Sequence, residues 1–241
     1  MPRALPILLA FVAGWVDASS FVGLDHVMAA HITGNLVVLA ARIAEGVTVA
    51  DSLKIIILPI FFAGVMAVTV LHDRVIARLP DKSVRLSRML DCEAALVALT
   101  GVLGLWVTWS GQEIGFWIAL VVVTPVTFGM ALQNAIHRLY PEIGPATTVM
   151  TGNITQFFID KTRRLRGRAS VSKINDMPRN ENVLPVLIGA FGTGCVLGAV
   201  LTDAMGNGSF LVPAAVALAG GALLRRGARH GGGAAIPEGR P

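Results

Sequence analysis

The chain has 241 residues, of which 54% are hydrophobic and 15% charged, with a formal net charge of +5 and a mean hydropathy of +0.68. A soluble domain carries about 25% charged residues, so this composition excludes an ordinary water-soluble enzyme, and the basic excess is explained by loops beside a membrane rather than by a nucleic-acid surface. Nearly charge-free runs at residues 5–22, 55–71, 96–109, 114–132, 183–201 and 210–224 reach or approach the ~17–20 apolar residues that a helix needs to cross a bilayer core.

Taken in order, the first helix covers residues 5–22 and carries Asp17. Its start imitates a signal peptide, with Arg3 before an apolar run. Asp17 directly after that run, and an analogue of this segment in the second half of the chain, argue that it is retained. A connector with Asp25 and His26 leads to a short segment, residues 31–44, that contains Thr33-Gly34-Asn35. At 1.5 Å per residue this segment is roughly 20 Å long, too short to cross the core alone. A helix at 55–71, a charged loop at 73–88, a helix at 90–109 and a tight turn at 110–113 complete the first half. The second half begins with a helix at 114–139, in which Pro125 is expected to cause a kink. It continues with a short segment at 147–160 holding Thr151-Gly152-Asn153, a basic loop at 161–182, and helices at 183–201 and 210–224. Residues 227–241 read as a disordered cytoplasmic tail.

The twin Thr-Gly-Asn triplets mark an internal repeat. Phe11 and Ala18 align with Phe128 and Ala135, which places Asp17 opposite Asn134. Phe61, Gly64, Leu71 and Asp73 match Phe191, Gly194, Leu201 and Asp203 at one offset, and Ala98, Leu99 and Gly101 match Ala217, Leu218 and Gly220. The expected organisation is a single membrane domain over 1–226, with repeat one at about 4–110 and repeat two at about 114–225.

Lys and Arg concentrate on the cytoplasmic side of membrane proteins. Both large basic loops fall on one side if the two short segments enter and return on the same face; Arg42 and Lys54 are then the only basic residues outside. The fold class expected is therefore all-α, a polytopic membrane protein with six transmembrane helices plus two short re-entrant or half-helix segments, arranged as two inverted repeats. Both termini would be cytoplasmic. Broken helices in inverted repeats are a recurring plan of secondary transporters.

The pattern Gly14-Trp15-Val16-Asp17-Ala18, His31-Ile32-Thr33-Gly34-Asn35, Gly129-Met130-Ala131-Leu132-Gln133-Asn134-Ala135 and residues 147–153 resembles the YoaK-like family of bacterial multi-pass inner-membrane proteins. The likeness covers about residues 5–225. It implies a bacterial inner-membrane location and a multi-pass topology, and it carries no activity with it.

The residues with chemical potential are polar groups in apolar surroundings. An ionisable residue inside a membrane is by default a functional candidate, which singles out Asp17; the alternative is that it caps the exit of its helix. Gly14, Asp17 and Ser20 share a face by i, i+3 spacing, as do Ala131, Asn134 and His137 with Gln133 beside them. Asp17 facing His137 or Asn134 across the pseudo-two-fold is one expectation. Thr33, Gly34 and Asn35, and Thr151, Gly152 and Asn153, would open the two short helices, where free N–H groups attract negative charge; Gln156 adds polarity to the second. The alternative is that small residues and Asn serve helix packing. His31 is a candidate proton-coupling group because its charge changes near neutral pH. His26, His31 and Asp25 match no metal spacing, Cys92 and Cys195 lie in apolar helices, and no catalytic residue, metal or cofactor is expected.

The expected function is a small secondary transporter or channel-like permease for a small polar or anionic solute, with proton coupling as an option. The alternative is a non-transporting membrane scaffold, sensor or accessory subunit. The partners expected are membrane lipids and the solute, with no nucleic acid; a homo-oligomer is compatible with the sequence, and an enzyme is not expected.

Overall fold

The computed structural model describes residues 4–49, 51–167 and 183–231. Among these, the regular elements are eight α-helices and three short 3-10 turns. The helices are α1 (Ala4–Gly23), α2 (Gly34–Glu45), α3 (Ser52–Arg74), α4 (Lys82–Ser110), α5 (Phe116–Leu139), α6 (Met150–Leu165), α7 (Val183–Met205) and α8 (Leu211–Gly231). Five stretches are long and apolar enough to cross a membrane: Ala4–Gly23, Ser52–Arg78, Lys82–Ser110, Phe116–Leu139 and Val183–Gly227. The last contains α7 and α8, joined by the turn Gly206–Phe210. At 12 and 16 residues, α2 and α6 are about 18 and 24 Å long and fall short of a ~30 Å core.

α4, α6 and α8 run furthest past their expected bounds. α4 starts at Lys82 rather than near residue 90, because Leu86, Met89 and Leu90 recur at helical spacing and are buried while Arg88 stays exposed. It ends at Gly111, whose φ of 66° provides the left-handed cap. α6 continues into the expected basic loop as far as Leu165, and α8 continues to Gly231, into the expected tail. The remainder of that loop (168–182) and of that tail (232–241) lies outside the described residues.

The tightest packing joins α1 to α7. A Cβ on Gly14 would overlap the Phe191 carbonyl oxygen, one on Gly194 would overlap that of Phe11, and one on Gly198 would lie 2.6 Å from that of Trp15. Gly194 and Gly198 are four apart, the small-residue spacing that lets helix backbones meet without a hydrophobic driving force. Ser19 Oγ donates to the Gly198 carbonyl across the crossing, at 3.2 Å. α3 packs on α5 in the same manner: a Cβ on Gly64 would come 2.9 Å from that of Ala131 and 3.6 Å from the Phe128 Cα. α4 lies between α5 and α8. Arg225 of α8 ties to α4 through Asp91 (2.7 and 2.8 Å) and Ser87 (2.5 Å).

α2 leans on α3, and α6 on α7. The main core collects Val12, Val16, Ala94, Val97, Val126 and Met130 among others. Outward faces of α3, α4 and α7 carry Phe62, Met66, Val102, Trp106, Val196 and Val200, all more than half exposed, an apolar girdle suited to acyl chains.

Candidate functional site

The site begins where α1 ends. Asp25 and His26 both adopt left-handed conformations, with φ of 57° and 60°, a region in which Asp, Asn and His are the commonest non-glycine residues. Two such residues in succession reverse the chain sharply. His26 stacks edge-on to Phe21, with ring centroids 4.8 Å apart. Lys54, at the start of α3, closes the turn from the other side: it is 2% exposed and donates to the Asp25 carbonyl (2.8 Å) and to Asp51 (3.0 Å). The N–H and hydroxyl of Thr48, with Lys54, hold the Asp51 carboxyl well below the usual carboxylate range.

This reversal carries residues 28–31 back along α1 to meet Asp17, which is 8% exposed. Asp17 Oδ1 accepts from the backbone N–H of Ala30 (2.6 Å) and of His31 (3.2 Å), and Oδ2 pairs with His31 Nδ1. The His31 ring also meets Phe191 of α7 edge-on, with centroids 5.5 Å apart. Its bond to Asp17 raises the imidazole pKa above the ordinary 6.5, against the opposing effect of burial. Asp17 is thus both a loop anchor and the partner of a titratable, one-third exposed histidine.

The second half builds the same junction from neutral groups. Asn134 Oδ1 accepts from Thr148 Oγ1 at 2.6 Å, and Asn134 Nδ2 donates to the Met130 carbonyl. Counted back from each triplet, Thr148 occupies the place of Ala30. Asp17 and Asn134 are therefore each bonded to the loop of their own half rather than to one another.

The triplets divide by residue. Asn35 is fully buried; its Nδ2 donates to the carbonyls of Met28 (2.8 Å) and Ile32 (3.1 Å), and its Oδ1 accepts from Met28 N–H (2.8 Å). Asn153 reaches back the same seven residues, donating to the Ala146 carbonyl at 3.0 Å. Both amides clasp the loop that leads into their helix. Thr33 stands at the N-cap of α2 but makes no capping bond with its side chain, and Thr151 lies within the first turn of α6. Both threonines are exposed, Gly152 is exposed and Gly34 is half-buried. A Cβ on Gly34 would lie 2.5 Å from the Met28 sulfur, whereas one on Gly152 meets Val149 at an ordinary 3.7 Å. The N–H groups of Gly34, Asn35 and Leu36 are bonded to the carbonyls of His31, Ile32 and Thr33, so the start of α2 does not offer them to an anion. Gln156 bonds Asp160 one turn on.

Gln133 is fully buried and bridges elements: its Nε2 donates to the Leu9 carbonyl of α1 and to Thr147 Oγ1, both at 2.8 Å. The Thr147 hydroxyl lies 2.9 Å from His137 Nε2, and His137 is 5% exposed. Gln133 Oε1 has no partner.

Two charged residues were not singled out by sequence reasoning. Lys54 reads there as a basic residue beside the membrane, and its burial follows from the αL turn at Asp25, which no local pattern announces. Glu93 of α4 is 0% exposed, and neither carboxyl oxygen has a hydrogen-bond partner. The available signal was an acid inside the expected helix at 90–109, three residues before its apolar run at 96–109.

Long apolar helices, glycine-mediated crossings and an apolar outer girdle define a multi-pass helical membrane protein. Residues 5–223 match the family described as "Protein of unknown function (DUF1275)", and the chain belongs to that family. It is similar to the UPF0700 transmembrane protein YoaK of Bacillus subtilis (strain 168), at 28% identity over 160 residues; the match covers 66% of this chain and 66% of that protein. No solved structure matches the chain.

Proposed function

We propose that the chain is a small secondary transporter or channel-like permease of the bacterial inner membrane, for a small polar or anionic solute. The observation that carries this reading is the reciprocal packing of the halves. α1 lies on α7 as α5 lies on α3, α2 on α3 as α6 on α7, and α4 on its counterpart α8. Such a plan fits two inverted repeats, each broken by a short helix, the arrangement that recurs in secondary transporters. The Asp17–His31 pair lies at the first break, beside exposed Thr33, and supplies a carboxylate and a titratable imidazole for proton coupling. Six crossings, with both termini cytoplasmic, complete the proposal, and the chain acts as no enzyme. Its partners are lipid and solute, with no nucleic acid.

A non-transporting scaffold, sensor or accessory subunit is the second reading. One observation favours it: the triplet asparagines are committed to their own loops.

The test is water access together with flux. In a chain with Cys92 and Cys195 replaced by Ser, cysteines at Thr33 and Thr151 should react with small polar thiol reagents from opposite sides of the membrane. Proteoliposomes should then take up one member of a panel of small polar and anionic solutes. Unreactive cysteines at both positions and no flux would leave the second reading. A topology reporter in residues 45–50 should read outside and one at Ser170 cytoplasmic; a cytoplasmic result at the first would overturn the six-crossing arrangement.

A further inference from the structure

Glu93 lies about 16 Å along α4 from Lys82, near the middle of a 29-residue helix. It is completely enclosed, and both carboxyl oxygens lack a partner. Its backbone carbonyl is 3.6 Å from where a Cβ on Gly129 would stand. Thr100 of α4 bonds the Val122 carbonyl of α5, so contacts fall on α5 as they rise on α4 and the two helices run antiparallel. Side chains lean toward the N-terminus of their own helix, so the Glu93 carboxyl leans from the level of Gly129 toward that of Gln133, one turn further along the same face of α5. There the Gln133 carboxamide oxygen is the second buried acceptor without a donor. Its nitrogen is held by Leu9 and Thr147, and Thr147 connects in turn to His137.

An enclosed site with unfilled acceptors and no donor lacks a hydrogen. The other charged groups do not fill it. Arg225 of α8 is bound to Asp91 and Ser87, and Arg226 is exposed. The turn Gly206–Phe210 has no ionisable residue. Arg78, Arg138 and the α4 residues Lys82, Arg85 and Arg88 lie at the opposite end, and His137 is two turns from Gly129. A metal ion would need more than this one carboxyl, and no group of three or more His, Cys, Asp or Glu occurs among the described residues.

We propose that Glu93 is a second proton-binding site of this protein, beside the Asp17–His31 pair, reached from the His137 end of α5 through the Thr147–Gln133 column. This deepens the transport reading by adding a buried proton carrier on α4, and it rests on that reading only for its purpose. Loaded, the carboxyl keeps its O–H and is the missing donor toward Gln133 Oε1. Unloading breaks that O–H bond and passes the proton to a water molecule, leaving a carboxylate that the column must hydrate. An uncompensated carboxylate in an apolar interior is costly, so unloading requires α4 and α5 to admit water.

The experiment is infrared difference spectroscopy between acidic and alkaline buffer on the full chain in lipid vesicles. The expected result is a protonated-carboxyl carbonyl band that changes with pH, is lost in Glu93→Gln, and is shifted rather than lost in Glu93→Asp. Gln133→Leu should displace the frequency of the band, and replacing sodium by choline should not move it. A pH-dependent band that survives in Glu93→Gln, a wild-type chain with no such band, or a sodium-dependent one overturns the proposal. None of these readouts needs a transported solute. A band lost in Glu93→Gln without any solute flux would retain the proton site and discard the permease.

Discussion

Gly14 of α1 and Gly194 of α7 occupy reciprocal positions: each faces the backbone carbonyl of the phenylalanine three residues before the other, Phe191 and Phe11. Neither position has room for a Cβ. Because the obstruction is backbone, relief requires the two helices to move apart. Gly14→Val and Gly194→Val are expected to destabilise the purified protein by at least the ~1–3 kcal/mol typical of overpacking. Gly192→Ala, at a position with nothing within 4 Å, should be neutral and serves as the control. Thermal unfolding in detergent measures all three, and equal midpoints would refute the close crossing.

Asn35→Ala removes three hydrogen bonds at a fully buried position and strands the N–H and C=O of Met28. A stranded group costs about 1–3 kcal/mol when fully buried, and less at the partly exposed Met28. Asn153→Ala loses one bond to Ala146 and a long contact with the Met150 sulfur, so its cost should be smaller. The pair tests whether the triplets hold loops: ranking by denaturant midpoint should place Asn35→Ala clearly below Asn153→Ala, and the reverse order would count against the clasp.

The Asp17–His31 pair makes stability depend on pH. The folded state raises the imidazole pKa above 6.5, so the protonated ring is favoured by folding. The contribution is complete below pH 6.5 and is lost as pH rises through the raised value. Asp17→Asn removes the cause. Melting temperatures of wild type and variant, taken across this range, should converge toward alkaline pH; parallel curves would show that the pair contributes nothing.

Lys54→Ala should loosen the connector between α1 and α2, since it frees the Asp25 carbonyl and removes the nearer of two cations on Asp51, Lys54 Nζ at 3.0 Å against Arg42 Nε at 3.9 Å. Limited proteolysis between residues 23 and 33 should accelerate in Lys54→Ala and remain at the wild-type rate in Glu45→Ala, whose exposed carboxyl pairs with Arg42. Equal rates would mean that Lys54 does not hold this turn.

Much of this architecture is legible in the sequence because apolar length and small-residue spacing are local signals. The long runs became helices, and the matched pair Gly64 and Gly194 became two helix crossings. The α4 start escaped because residues 82–90 are amphipathic and a run-length criterion sees only their charges. The site was harder to read. Asp17 and Asn134 align as equivalents, and they are equivalent in role, each anchoring its own loop; the αL turn at Asp25 and His26 that decides the partner of Asp17 is only weakly signalled, since Asp and His are enriched there but mostly lie elsewhere. Glu93 escaped because it stands in the first turn of the expected helix at 90–109, two residues after Asp91, where an acid reads as solvated until the turns before it also fold and carry it inward.

The clasp at Asn35 also has a mechanical side. Asn35 is the only buried residue of α2, whose far end finishes at exposed Glu45 and at Gly46 with φ of 108°. The helix is a rod about 18 Å long, clasped at its start and resting on α3, with Arg42 near its far end 3.9 Å from Asp51, so that a tilt of about ten degrees at the clasp would carry the other end by about 3 Å. His31 stands four residues before that clasp, so a spectroscopic label at the exposed end of α2 is the place to read any tilt that titrating the Asp17–His31 pair would produce.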